Sequence, residues 1–525
     1  MKKISTVLIL SCLLASSLIQ AQVHSRFDAH IILIPLDDRP PCLQFPTKMG
    51  LIGNVEVVSP PKNLLGSFTQ SADPDKIVSW IKQQDLSHTD AIIVSLDMLV
   101  YGGLVSSRVS KITESEAAKR FEILKEIRLN NPKIRIYGSS ILMRLAPTAD
   151  GKNEAWREKV NKWASLPHDE KSKAEILKLE KEIPSEVLAE YKKTRARNFI
   201  VNGFALDLVK TNIVDYLILG QDDARPKGIH STERDSLQKM VAIKNLSDKV
   251  ILQAGADEAS MLLLARSFTD RTSTKPQVKL IFSSAKTAAQ VMPFEDKPLR
   301  ETVSSHLKAC GATETTDDKA ADLFFFVYAS RLEKGRSATF TNEIAKIRSI
   351  NPTKGIIVAD IDPTGEVQGS DPDFTELALT KKIFSDCAGY AAWNTAANTI
   401  GTALPQGLIY WISKAKTDRT LQTKEEMKEA QAWFIRHRLV DDYLYHSVVR
   451  PSLIKNISEK DWNPLKLTEK QVSTLEFDGK ERLEELSNQL VEKFPQGKKY
   501  GISKLSFHLP WKRTFEAEIE FQLGK

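Results

Sequence analysis

Val250-Ile251-Leu252-Gln253-Ala254-Gly255-Ala256-Asp257-Glu258 is an apolar run that ends in a glycine turn and two carboxylates, and helix formers follow from Ala259 to Arg266. In a βα unit this order puts Asp257 and Glu258 at the carboxyl end of a buried parallel strand, where α/β proteins build their sites. The plainer reading is that Asp257 only caps the helix and Glu258 sits in its first turn. Recurrence favours the first reading, because other apolar runs in the chain end the same way, in acidic, arginine or amide residues.

Working outward, Val214 to Gly220 runs into Gln221-Asp222-Asp223-Ala224-Arg225, about one βα repeat upstream. His30 to Leu36 is stopped by Asp37-Asp38-Arg39-Pro40-Pro41, since proline cannot continue a strand ladder. Val55 to Val58 is a shorter strand. Ala91 to Ser95 leads to Asp97, Tyr101-Gly102-Gly103 and Arg108, and Ile134 to Gly138 leads to Arg144. Downstream, Val278 to Phe282, Leu323 to Tyr328 and Ile356 to Ala359 continue the series, and Cys387 to Gly401 gathers Trp393, Asn394 and Asn398 at a helix start.

Alternating strands and helices of this kind imply an α/β fold with a parallel core. A TIM-like barrel over residues 22–404 is the first expectation, and two Rossmann-like halves are the alternative, since more than eight strands precede residue 405. Within that domain, residues 153–198 form a charged helical insertion. Its Trp156 and Trp163 read as packing residues rather than a sugar-binding lid. Residues 405–525 read as a C-terminal accessory region of helices and strands. No internal repeat is evident.

Met1-Lys2-Lys3, the apolar Ile4 to Ile19 and the small-residue end at Ala21 have the form of a secretory signal, so a secreted or periplasmic product is expected. Cys12 could be taken for a lipid-anchor site, but the apolar stretch runs on past it. Without Lys2 and Lys3 the formal charge falls from +7 to +5, and acidic and basic residues are interleaved, so no nucleic-acid surface is expected. No later apolar run has the length of a membrane span. Cys42, Cys310 and Cys387 show no CxxC spacing and suggest neither a zinc site nor a disulfide framework.

The chain has no serine-hydrolase elbow, no phosphate-cradling loop, no dinucleotide fingerprint and no zinc-protease motif. Carboxylates at strand ends are what it has in abundance. They suit cleavage of a glycosidic bond, which needs one protonated acid for the leaving oxygen and one carboxylate for the positive charge developing at the anomeric carbon. The expected function is therefore an exported glycoside hydrolase acting on a small glycan or amino-sugar conjugate, without a cofactor or metal.

Asp257, Glu258, Asp222 and Asp223 form its expected acidic centre. Asp37, Asp38, Arg39, Asp97, Tyr101, Arg108, Arg144, Gln221, Trp393, Asn394 and Asn398 are the expected substrate contacts, Trp393 as a stacking face. One rival is a metal-dependent hydrolase or phosphoesterase using Asp37, Asp38, Asp222 and Asp360. Another is a carbohydrate-binding protein without turnover. Asp360 to Asp371 matches most of a calcium loop, but Pro363 and a terminal Asp depart from it, so a plain loop after a strand is preferred.

The chain also resembles the bacterial family catalogued as domain of unknown function 4127. The resemblance rests on Ile34 to Pro40, Ser95 to Met98, Tyr101 to Leu104, Ser107-Arg108, Gln221 to Asp223, Gly255 to Glu258, Trp393 to Thr395, Asn398-Thr399, Gly401, Pro510-Trp511 and Arg513 to Glu516. It implies no activity. It adds weight to these residues as a site and none to a particular reaction.

Overall fold

The computed structural model describes residues 26–109, 111–495 and 500–524. The signal-like segment 1–21 and Cys12 lie outside the described residues. The fold is α/β, but the expected closed barrel is replaced by two open parallel sheets. The first has six strands, β1 (Ala29–Ile34), β2 (Val55–Val58), β3 (Ala91–Ser95), β4 (Arg135–Leu142), β5 (Tyr216–Gln221) and β6 (Val250–Ala254), in the order β2-β1-β3-β4-β5-β6. The second has five, β7 (Gln277–Phe282), β8 (Thr313–Glu314), β9 (Leu323–Tyr328), β10 (Gly355–Asp360) and β11 (Gly389–Ala391), in the order β11-β10-β9-β7-β8.

A barrel would set each strand beside its neighbours in sequence. Here β1 lies between β2 and β3, and β7 between β8 and β9, so the order reverses and the edges stay open. Both sheets therefore carry the doubly wound order 2-1-3-4-5, the first with one extra strand, which fits the alternative of two Rossmann-like halves. The edges are short strands, which limits unwanted pairing.

β3, β5, β6 and β9 are buried along their whole length, which explains why they read as continuous apolar runs rather than alternating ones. Helix Ala259–Thr272 joins the two sheets. It packs on β3 and β4, on helix Gln44–Ile52, and on helix Ala396–Ala415, which itself lies on β10 and β11. One apolar cluster, including Ile93, Phe268, Phe325, Ile357 and Ile400, thus runs through both halves. Only glycine lets helix Ala396–Ala415 sit so close to β11, because a Cβ on Gly389 would stand 2.1 Å from the Ala403 carbonyl oxygen. Residue 405, where the accessory region was expected to start, is Pro405 inside this helix.

The charged insertion is helical, with helices Glu154–Ser165, Lys173–Glu182 and Ser185–Lys210. Trp163 is buried against Tyr191 and His168, so it packs. At the C-terminal end, helix Leu421–Arg438 passes into a π-helical stretch, Leu439–Val449, and then into helices Arg450–Glu459 and Glu469–Glu492. An antiparallel hairpin, β12 (Gly501–His508) and β13 (Glu518–Gly524), follows. Cys42, Cys310 and Cys387 are free and buried. Among the described residues no helix is long and apolar enough to cross a membrane.

Candidate functional site

In an open parallel sheet the crevice for a ligand forms outside the carboxyl ends of the strands where the strand order reverses. In the first sheet that point lies between β1 and β3, and the loop after β1 carries Asp37-Asp38-Arg39. Arg39 is buried, and its guanidinium binds three carboxylates. Nε donates to Asp37 Oδ1 at 3.0 Å, and Nη2 donates to Asp37 Oδ2 and to Asp257 Oδ1, each at 2.7 Å. Nη1 donates to Asp257 Oδ2 at 2.9 Å and to Glu516 Oε1 at 3.0 Å.

Burial works against the charge on Arg39, but Asp257 and Asp37 outweigh it and raise its pKa. Burial raises the pKa of Asp257, opposed by Arg39 and assisted by Asp37 and Asp222. Glu516 goes the other way. Despite burial, Arg513 and Arg39 hold it below the usual carboxylate range.

The loops after β3, β4 and β5 extend the same rim. Arg108 donates to Asp222, and to Thr148 Oγ1 at 2.6 Å, while Arg144 Nη1 donates to Asp223 Oδ2 at 2.7 Å. Burial and the neighbouring charge of Arg144 push Arg108 down to about 10. Asp97 follows β3, held in place as its Oδ2 accepts the Ile141 N–H at 2.9 Å. Burial pushes its pKa up to about 7, and Asp222 adds to the rise. Tyr101 lies one turn on, its ring 4.7 Å from the Arg197 guanidinium. Asp37, Asp97, Asp222, Asp223 and Asp257 thus come from the ends of four strands, β1, β3, β5 and β6, and share one electrostatic field. All of them but Asp97 are ion-paired with arginines, and of these Asp223, with 37% of its side chain accessible, is the most open carboxylate.

Several expected site residues lie beneath this rim. Glu258 points away from Asp257 and is 1% exposed. Its Oε2 accepts from Asn398 Nδ2 at 2.7 Å, and its Oε1 lies 3.4 Å from His306 Nε2. Gly255 and Gly401 enclose it, for a Cβ on either would stand 1.8 Å and 2.1 Å from its side-chain atoms. Consecutive residues entering a helix project about 100° apart, which is why the pair diverges. Trp393 is also enclosed. It is 4% exposed, edge-on to Phe45, and its Nε1 donates to Thr402 Oγ1 at 2.9 Å, so no ring face is free for a sugar. Gln221 is buried and donates to Asp296 in the loop after β7. Asn394 donates to Asn398 and is partly exposed beside Gln368.

Asp360 and Asp362 follow β10 in the second half. Burial raises Asp360 to about 7, and its Oδ2 accepts the Asp371 N–H at 2.6 Å. Asp362 accepts the N–H groups of Thr364, Val367 and Gln368. Those carboxylates hold the loop after the strand through its backbone N–H groups, and both face the Arg331 guanidinium. Among the described residues no three His, Cys, Asp or Glu side chains are arranged to hold a metal.

The sequence reading missed what the hairpin tip supplies. Trp511 Nε1 donates to Asp38 Oδ1 at 2.7 Å, its ring lies 4.5 Å from the Arg39 guanidinium, and Glu516 completes the Arg39 shell. The motif Pro510-Trp511 with Arg513 to Glu516 was the available signal. Strained backbone gathers here as well. Phe68, Asp223, Phe294, Gln368, Asn394, Trp511 and Lys512, half of the fourteen non-glycine residues with positive φ among the described residues, lie in loops at the carboxyl ends of strands of the two sheets or in the tip. Such residues persist where surrounding structure over-determines them, and they cluster at functional sites. Two surface cavities lie elsewhere. One of about 350 Å³ sits between helices Ser185–Lys210 and Ile229–Ile243, and one of about 230 Å³ at the amino ends of β1 to β4.

Comparison with protein families decides what this rim belongs to. The model of a protein family of unknown function (DUF4127) matches residues 31–520. The chain belongs to this family. The DUF4127 match takes in both sheets, the rim and the tip with Trp511 and Glu516. No curated protein matches this DUF4127 chain.

Proposed function

We propose that the protein is an exported glycoside hydrolase acting on a small glycan or amino-sugar conjugate at the rim of the first sheet. The observation that carries this reading is that Asp222 and Asp257, from adjacent strand ends, lie within each other's electrostatic influence while held on different arginines. One guanidinium cannot neutralise both Asp37 and Asp257, and burial favours a proton on Asp257. Asp257 is then the general acid, and Asp222, bound to Arg108, faces the positive charge developing at the anomeric carbon. Asp223 and Arg144, more open to solvent, bind sugar hydroxyls. Glu258 supports the loop from below and does not act as an acid.

The metal-dependent alternative needs Asp37, Asp38, Asp222 and Asp360 to converge. Arg39, Trp511, Arg108 and Arg331 respectively already bind those groups. The binding-protein alternative is favoured by one observation: every rim carboxylate has a partner before any ligand arrives. Purified protein assayed on aryl glycosides and short glycans separates the readings. Hydrolysis that survives chelator and is lost by Asp222→Asn and Asp257→Asn, with ligand binding kept, supports the hydrolase. Chelator-sensitive phosphoester cleavage sinks it, and so does glycan binding without turnover.

A further inference from the structure

The enclosure of Trp393 leaves the proposed site without its expected stacking ring, but partly exposed rings stand beside the rim. They are Phe68, in the loop after β2, and Trp511 and Phe515 of the hairpin tip. Phe68 and Trp511 lie with centroids 5.4 Å apart and planes tilted by 33°. The Arg513 guanidinium stands 4.7 Å from the Trp511 ring, 5.2 Å from Phe515 and 5.7 Å from Phe68. Trp511 also covers Arg39, so the rings adjoin the residue that holds Asp257.

Two features set this group apart from ordinary packing. Rings that serve the core here are buried, as Trp393 and Trp433 are, whereas these three keep accessible surface. Phe68 (φ 46°) and Trp511 (φ 59°) also hold left-handed backbone, which costs about 1–3 kcal/mol for a bulky residue and is kept where geometry matters. The Phe68 turn is pinned by reciprocal backbone bonds between Ser67 and Gln70, both 2.9 Å. Gly66 allows it to approach Gly102, where a Cβ would stand 2.2 Å from the carbonyl oxygen.

We infer that Phe68, Trp511 and Phe515, with Arg513, form a stacking subsite for a sugar ring next to the Arg39–Asp257 network. The apolar C–H face of a pyranose lies on the rings, while its hydroxyls meet Arg513 and the edge of the acidic rim. The inference rests on the glycan reading above and sharpens it. The ligand is an oligosaccharide of at least two rings, one at Asp222 and Asp257 and the next on Trp511.

Chitotriose, cellotriose, maltotriose and xylotriose are titrated into the full chain by calorimetry, which reads affinity in variants that lack Trp511, while tryptophan emission is followed in parallel. The difference between wild type and Trp511→Phe isolates Trp511 among the eight tryptophans. At least one sugar should give a saturable change. Its affinity should fall about tenfold or more in Trp511→Ala and stay within about threefold in Trp511→Phe. Phe515→Ala provides a second variant if Trp511→Ala does not fold, with a loss of about threefold or more.

Unchanged affinity in both alanine variants, or no saturable change with any of the four sugars, overturns the subsite. Cleavage of one of these trisaccharides at a rate that Trp511→Ala leaves unchanged overturns the subsite alone. Saturable binding that depends on Trp511 without any turnover keeps the subsite and sinks the hydrolase.

Discussion

Arg39 shows how much a single residue carries here. Its planar fork serves Asp37, Asp257 and Glu516 at once, which a lysine ammonium could not do with the same geometry. Arg39→Met leaves three buried carboxylates short of a cation and should cost about 3–5 kcal/mol in urea unfolding. Asp97 makes a pH prediction. Its native pKa, about 7, lies above the unfolded value near 3.8. Between those values the native state holds a proton that the unfolded state has lost, so the contribution of Asp97 to stability falls as pH rises and is flat above about 7. Relative to Asp97→Asn, wild-type stability should therefore drop by about 1 kcal/mol per pH unit from pH 4 to 7. A difference independent of pH would contradict this. The motif residues themselves were legible in the sequence, because acids after apolar runs stand out. Side-chain direction was not, and that is where Glu258 and Trp393 departed from expectation. Glu258→Gln should lower the melting temperature while glycan binding at the rim is kept.

Among the elements, the long buried strands announced themselves through unbroken apolar runs such as Leu323 to Tyr328. β8 and β11, of two and three residues, could not. The duplicated strand order was equally hidden, since it is set by pairing between distant segments and leaves no repeat in the residues. That reversal of order, and not the number of strands, turns the expected barrel into two open sheets. The turn after β6 shows the same dependence on close packing. Gly255 has φ 98°, and a side chain there would strike both Glu258 and Ala397. Gly255→Ala should destabilise by about 2 kcal/mol or more, read from the denaturant midpoint. Where helix Leu421–Arg438 passes into the π-helical stretch, Arg438 Nη2 donates to Asp441 at 2.7 Å and Nη1 to Asp442 at 2.9 Å, all three groups buried. Arg438→Leu strands both aspartates and should cost at least about 3 kcal/mol, or prevent folding.

At the scale of the whole molecule, residues 477 and 473 positions apart in sequence meet at one point, as Glu516 and Trp511 close over Arg39 and Asp38. A reading that set residues 405–525 aside as accessory could not foresee this, because hairpin texture does not reveal where a hairpin tip lands. The two halves share one core through helix Ala259–Thr272, and the rim they build joins strand-end acids to a C-terminal aromatic cover. The most direct test is a crystal structure of Asp222→Asn soaked with a glycan that the wild type hydrolyses. The sugar should lie across the carboxyl ends of β1, β5 and β6, with its glycosidic oxygen in hydrogen-bond reach of Asp257 and the next ring on Trp511. Sugar bound instead between helices Ser185–Lys210 and Ile229–Ile243, with the rim unchanged, would contradict the account.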